Sequence, residues 1–266
     1  MLFRFAVLVA AIALLVIASG AIVTSEHEAA GTAQGTQVES LAGAQLHRML
    51  GLGFSGLVLV LAVGAWLGGG TALRALSVIA VVAGGEDAWT ALGTLEPGRA
   101  ALHAWLAPVL FSTLVAMALF CSPGWEKTLG HIDDRGLRFL RPLATATPPI
   151  VLLQIVLGAL YRHKLSSVMW HMAGAMVAAL ATLIASMVVF QQYPEHRALR
   201  RSAIALMTVV LLQVTLGVSA FTMQLLETEN TLALEISTAS HVVVGSLTLA
   251  ASVVFSILVR RALDRA

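Results

Sequence analysis

Four histidines, His47, His103, His171 and His241, stand at the same end of every second apolar run of the chain. An imidazole inside a membrane helix is unfavourable enough that it normally has a task. Four at equivalent positions suit axial ligation of iron porphyrins. Heme iron takes an imidazole nitrogen above its plane and another below, and a helical bundle can hold the macrocycle between facing helices. Two pairs would hold two hemes, most simply His47 with His103 and His171 with His241. The plainer alternative is four interfacial histidines that hydrogen-bond water, and the repetition favours ligation over it. Zinc fits poorly, because no carboxylate or thiol sits one helical turn from any of the four.

Other polar residues join this set. Glu86 and Asp87 follow Gly84-Gly85 inside the third apolar run. Unpaired carboxylates there are costly, so they are expected to be protonated, paired or turned to a polar cavity. A proton-handling or substrate-pocket role and simple neutralisation by Arg99 or a glutamine stay equally open. Arg48, Arg99 and Arg162 lie at the histidine end, where a guanidinium fork matches a heme propionate and where ordinary snorkelling to headgroups is the alternative. His27, His131, His163 and His196 fall in loops or at helix ends and are read as solvated. The five tryptophans mostly flank the apolar runs, as in an interfacial belt.

The elements that must position these residues are membrane helices. The apolar fraction is 58%, the charged fraction 11%, and the mean hydropathy +0.89; a soluble domain of this length needs more charge to cover its surface. Eight apolar segments run near 5–24, 47–67, 75–95, 102–121, 145–161, 168–190, 203–223 and 237–259. Each is about the 20 helical residues that a bilayer core requires, and none alternates as a barrel strand would. Pro142, Pro148 and Pro149 cluster at the start of the fifth, where a first turn tolerates them. Twelve of the sixteen Lys and Arg residues fall on the side away from the histidines, which makes that side cytoplasmic and puts both termini there. The first run, Phe5 to Val23, is long for a signal peptide and is read as a retained helix. No transit-peptide pattern precedes it, which favours a bacterial-type plasma membrane. The single cysteine, Cys121, excludes an intramolecular disulfide.

An internal repeat organises the eight. Gln154-Ile155-Val156-Leu157-Gly158 in the fifth helix matches Gln213-Val214-Thr215-Leu216-Gly217 in the seventh. Gly20-Ala21 and Leu92-Gly93 are looser versions in the first and third. Each unit is an odd helix running out and an even helix returning with a histidine at its outer end.

With these features the chain resembles the heme A synthases that assist cytochrome oxidase assembly. The resemblance spans nearly the whole chain and rests on short motifs in order. Gly20-Ala21-Ile22-Val23-Thr24 closes the first helix, His47-Arg48 opens the second, Gly158-Ala159-Leu160-Tyr161-Arg162-His163 closes the fifth, and Gln-x-x-Leu-Gly recurs in helices five and seven. It implies an all-α protein of two related four-helix bundles, residues 1–121 and 143–266, joined by a cytoplasmic linker, 122–142. It further implies heme O as substrate at His47 and His103, and heme b at His171 and His241. The implied reaction is oxidation of a heme O methyl to a formyl, giving heme A, with heme O synthase and an electron donor as partners and no role for nucleic acid. The carboxylate that the family usually carries three residues before the first histidine is Ala44 here, and the outer-loop cysteine pair is missing. Glu39 and Glu86 are then the candidate catalytic carboxylates. A di-heme b-type cytochrome exchanging electrons at the outer face, and a transporter using Glu86 and Asp87, are the competing functions.

Overall fold

The computed structural model describes residues 1–30, 37–91, 96–125, 139–226 and 231–263. Eight α-helices follow in chain order, α1 (Leu2–Ala30), α2 (Gln37–Gly68), α3 (Thr71–Ala91), α4 (Pro97–Phe120), α5 (Leu140–Arg162), α6 (Val168–Gln192), α7 (Arg197–Leu225) and α8 (Thr231–Leu263), and no strand occurs among the described residues. Seven are long and apolar enough to cross a membrane; α3, 21 residues carrying Arg74, Glu86 and Asp87, is the eighth. This is the architecture of a polytopic membrane protein.

The apolar residues are turned outward as much as inward. Leu15, Leu67, Val82, Met176, Leu180 and Leu211 are all at least half exposed, which suits a lipid solvent and no aqueous one. Inside, small side chains let helices approach closely. One buried cluster joins Ala6, Val9 and Ala13 of α1, Val58 and Leu61 of α2, Ala80 and Ala83 of α3, and Leu110, Leu114 and Met117 of α4, with Ala250 of α8 against it. A second joins Leu140 and Ala144 of α5, Ala185 and Val189 of α6, Leu199 and Leu206 of α7, and Phe255 and Val259 of α8. Helix α8 runs between them, touching α1, α4, α5 and α7. Buried threonine hydroxyls turn back onto their own helices, as Thr147 donates to Leu143 O and Thr182 to Ala178 O, which satisfies these donors in the apolar interior.

The helices outrun the apolar segments that announce them. Helix α1 continues to Ala30 and α2 begins at Gln37, because helical hydrogen bonds persist where the chain leaves hydrocarbon. Helix α5 likewise starts at Leu140, so Pro148 and Pro149 lie inside its third turn rather than at its start; α4 carries Pro108 internally as well. Membrane helices tolerate such prolines when neighbouring groups take up the freed carbonyls.

The turn from α5 to α6 is short and tightly specified. Lys164 N–H donates to Tyr161 O at 2.9 Å and Leu165 N–H to Leu160 O at 2.8 Å, the paired bonds of a Schellman motif. Lys164 sits at φ 60°, the left-handed conformation that such a motif normally gives to glycine. Ser167 then caps α6, accepting from Met169 N–H, four residues before His171. Beyond Cys121 in the chain, the Arg261 guanidinium stacks 3.8 Å over the Trp125 ring and donates to the Trp125 carbonyl, tying the end of α4 to the end of α8.

Candidate functional site

The four histidines of α2, α4, α6 and α8 meet as two pairs, His103 and His171 in the first two turns of their helices and His47 and His241 further in. His47 and His103 have ring centres 6.2 Å apart with planes at 74°; His171 and His241 have ring centres 6.2 Å apart with planes at 82°. Both expected pairings are thus contacts, with one separation and near-perpendicular rings in each.

Three of the rings lie over a glycine of the preceding odd helix. A Cβ on Gly20 would stand 2.8 Å from His47 Cε1, one on Gly158 2.8 Å from His171 Cε1, and one on Gly217 2.8 Å from His241 Cε1. Carbon atoms do not approach that closely, so the glycines are the space the imidazoles occupy. This is the physical content of the repeated glycine. At the third helix the Leu92-Gly93 of the repeat lies outside the described residues. Among the described residues buried Thr90 stands at the equivalent distance: it precedes His103 by 13 residues, as Gly158 precedes His171, and its Oγ1 is 3.2 Å from His103 Nδ1.

Each ring is also held by a polar group. Ser19 Oγ lies 2.9 Å from His47 Nδ1 and gives its own proton to Val16 O at 2.8 Å. With its one hydrogen spent, the serine accepts from Nδ1–H, which leaves the imidazole lone pair on Nε2. His241 Nδ1 lies 3.1 Å from the backbone carbonyl of Gln213 and donates to it, with the same consequence. Glu86 Oε2 lies 3.3 Å from His103 Nδ1, again an acceptor. On His171 the partner is Gln154, whose Nε2 is 2.9 Å from Nδ1 and donates to the His171 carbonyl at 2.9 Å. Gln213 Nε2 is 3.2 Å from His241 Nε2. Gly174 and Gly245 on the histidine-bearing helices leave room for these two glutamines. Three of four rings are therefore held through Nδ1 by an acceptor, the usual device that orients a metal-ligating histidine.

The remaining candidates spread around the pairs. Arg162 reaches across from α5 to α1, donating from Nη2 to Ala21 O at 2.9 Å and to Ser25 Oγ at 2.8 Å. Arg48 is exposed beside His47. His163 is half-buried rather than solvated, and burial, then the charge of Arg162 and the proximity of His103, hold its pKa below the ordinary histidine value. Glu39 sits eight residues before His47 on the continuous α2, a rise of about 12 Å; its side chain, like that of Asp87, lies outside the described residues. Ala44 shares the face of His47 one turn earlier. The ring of Tyr161 is stacked on His171 with centres 6.3 Å apart.

Sequence reasoning singled out the histidines and missed Ser19, Thr90 and Tyr161, and it took Gln154 and Gln213 only as repeat markers. The four-residue step from Gln154 to Gly158 recurs from Gln213 to Gly217 and from Glu86 to Thr90; that spacing, read apart from residue type, is the signal that locates Thr90 and the two glutamines. No protein-family model matches the chain, and no curated protein matches it.

Proposed function

We propose that this chain is a heme-binding membrane protein of the heme A synthase type. In this reading residues 1–121 and 143–266 are two related four-helix bundles in a bacterial-type plasma membrane, with both termini cytoplasmic and the histidines near the outer face. The two buried clusters support the first part, and the distribution of basic residues the second.

One observation carries the cofactor reading, the common 6.2 Å separation of the two histidine pairs. A metal–imidazole bond is roughly 2 Å, and a ring nitrogen stands roughly 1.2 Å from its ring centre. Two imidazoles on opposite sides of one metal atom therefore have centres a little over 6 Å apart, which is the spacing found. Among the described residues no third metal-ligating side chain joins either pair, so the other coordination positions suit a macrocycle that brings its own nitrogens. His171 and His241 would hold heme b, and His47 and His103 would face heme O. Arg48 and Arg162, at the same end, would meet propionates.

Bound heme supplies the redox chemistry that the polypeptide lacks. Turning a methyl into a formyl adds one oxygen atom, removes two hydrogens and takes four electrons from the substrate, a balance met overall by one O2 as co-substrate whose second oxygen leaves as water. The chain's part is to orient the substrate and to receive protons near its reacting edge. Ala44 leaves the α2 side of the first pair apolar, and Glu86 is engaged with His103. Turnover is accordingly expected to be slow.

Expression in a host that makes heme O but not heme A, followed by extraction and mass identification of the hemes, tests this. Heme b together with heme O is expected, with little heme A in the parent and more in Ala44→Glu. Heme b alone, in a host rich in heme O, would instead identify a di-heme b-type cytochrome.

A further inference from the structure

The repeat places chemically different groups behind two equivalent histidines. Glu86 precedes His103 by 17 residues and Gln154 precedes His171 by 17. Both side chains come from the same level of an odd helix and reach the Nδ1 atom of the histidine on the next helix, at 3.3 Å and 2.9 Å. Glutamate and glutamine have nearly the same shape. They differ in what they offer to Nδ1. The carboxylate is a charged acceptor for Nδ1–H, whereas the Gln154 amide is neutral and spends a hydrogen on the His171 carbonyl.

We propose that Glu86 is a positioning residue that acts through His103 to make the His47–His103 site a stronger electron donor to its metal than the His171–His241 site. The inference rests on the heme-binding reading above. An acceptor at Nδ1–H draws the proton away and raises the basicity of Nε2, and the effect is larger when the acceptor is a carboxylate. A more basic axial nitrogen favours the oxidised, more positive metal and so lowers the reduction potential. The neutral amide beside His171 supplies no such charge. Glu86 is suited to the task by its surroundings, because only 17% of its side chain is exposed and water does little to screen it. Thr90 Oγ1, 3.2 Å from the same nitrogen, fixes the ring so that the carboxylate meets it in one orientation. The two halves thereby share one scaffold and differ in electronic character.

The test is an optical redox measurement on the purified full-length protein with its bound heme, in the parent, Glu86→Gln and Gln154→Glu. The parent is expected to reduce in two steps. Glu86→Gln, which installs the residue already used in the other half, should raise the lower midpoint and leave the higher one in place. Gln154→Glu should lower the higher midpoint. Each change corresponds to about a tenfold shift in the reduced-to-oxidised ratio at a fixed potential, the scale of a charged against a neutral hydrogen bond. A purely structural role for Glu86 would alter heme content without moving a midpoint selectively. Midpoints that stay put in both variants at parental heme content, or that move together, overturn this inference alone. A parent protein that carries no heme overturns both it and the reading it rests on.

Discussion

A glycine that faces an imidazole is a position where one methyl group decides whether a site exists. Gly158 leaves His171 its place, and the added Cβ of alanine would stand 2.8 Å from the ring. The ring cannot retreat freely, because Gln154 holds Nδ1. Gly158→Ala is therefore expected to push the imidazole off its axis and to lower heme retention at that site. It should destabilise the protein by about 1–2 kcal/mol, the overpacking cost less the gain in helix propensity. Gly217→Ala should behave alike against His241. Gly53, which has nothing within 4 Å of its Cβ position, supplies the control, and Gly53→Ala should keep full heme content. Equal heme retention in all three variants would show that the glycines do not shape the sites. These residues also mark how far sequence goes. The histidines were legible because imidazole in an apolar run is conspicuous, and three of the glycines because the repeat points to them. Thr90 was hidden, since threonine is unremarkable in a helix and only its distance from His103 reveals the role.

At the level of elements, apolar runs located all eight helices and placed their ends poorly. Hydropathy reports where lipid is, whereas a helix ends where its backbone finds other partners. Hence α2 and α8 extend well before their apolar segments, and His47 and His241 lie several turns inside rather than at the tips. Proline misled at α5 for the same reason, because Pro148 and Pro149 were read as the helix start when a bundle interior accommodates them in mid-helix. The α5–α6 turn was legible as short but not as strained. Lys164 at φ 60° occupies a conformation that costs a side-chain-bearing residue roughly 1–2 kcal/mol. Lys164→Gly is expected to raise thermal stability, by about 0.5–1 kcal/mol after the entropy glycine loses on folding. A melting temperature that falls in detergent-solubilised Lys164→Gly would mean that the lysine side chain contributes more than its backbone strain removes.

Across the whole molecule, helix α8 and Arg162 join what the repeat divides. Helix α8 touches helices of both buried clusters, and Arg162 of α5 hydrogen-bonds to α1 at the histidine end, so the two pairs belong to one assembly of helices. That closeness was not legible, because a repeat describes how each half is built and says nothing of how the halves meet. The pairing of histidines within each half was legible and carries the functional reading, so it is the claim to test most directly. The measurement is the low-temperature optical and electron paramagnetic resonance spectrum of the purified protein, with heme quantified per chain, in the parent, His171→Ala and His241→Ala. Two axial imidazoles give low-spin iron, and loss of one leaves a five-coordinate or empty site. The account predicts that either variant loses the low-spin signal of one heme and keeps that of the other. Parental spectra and full heme content in both variants would contradict it.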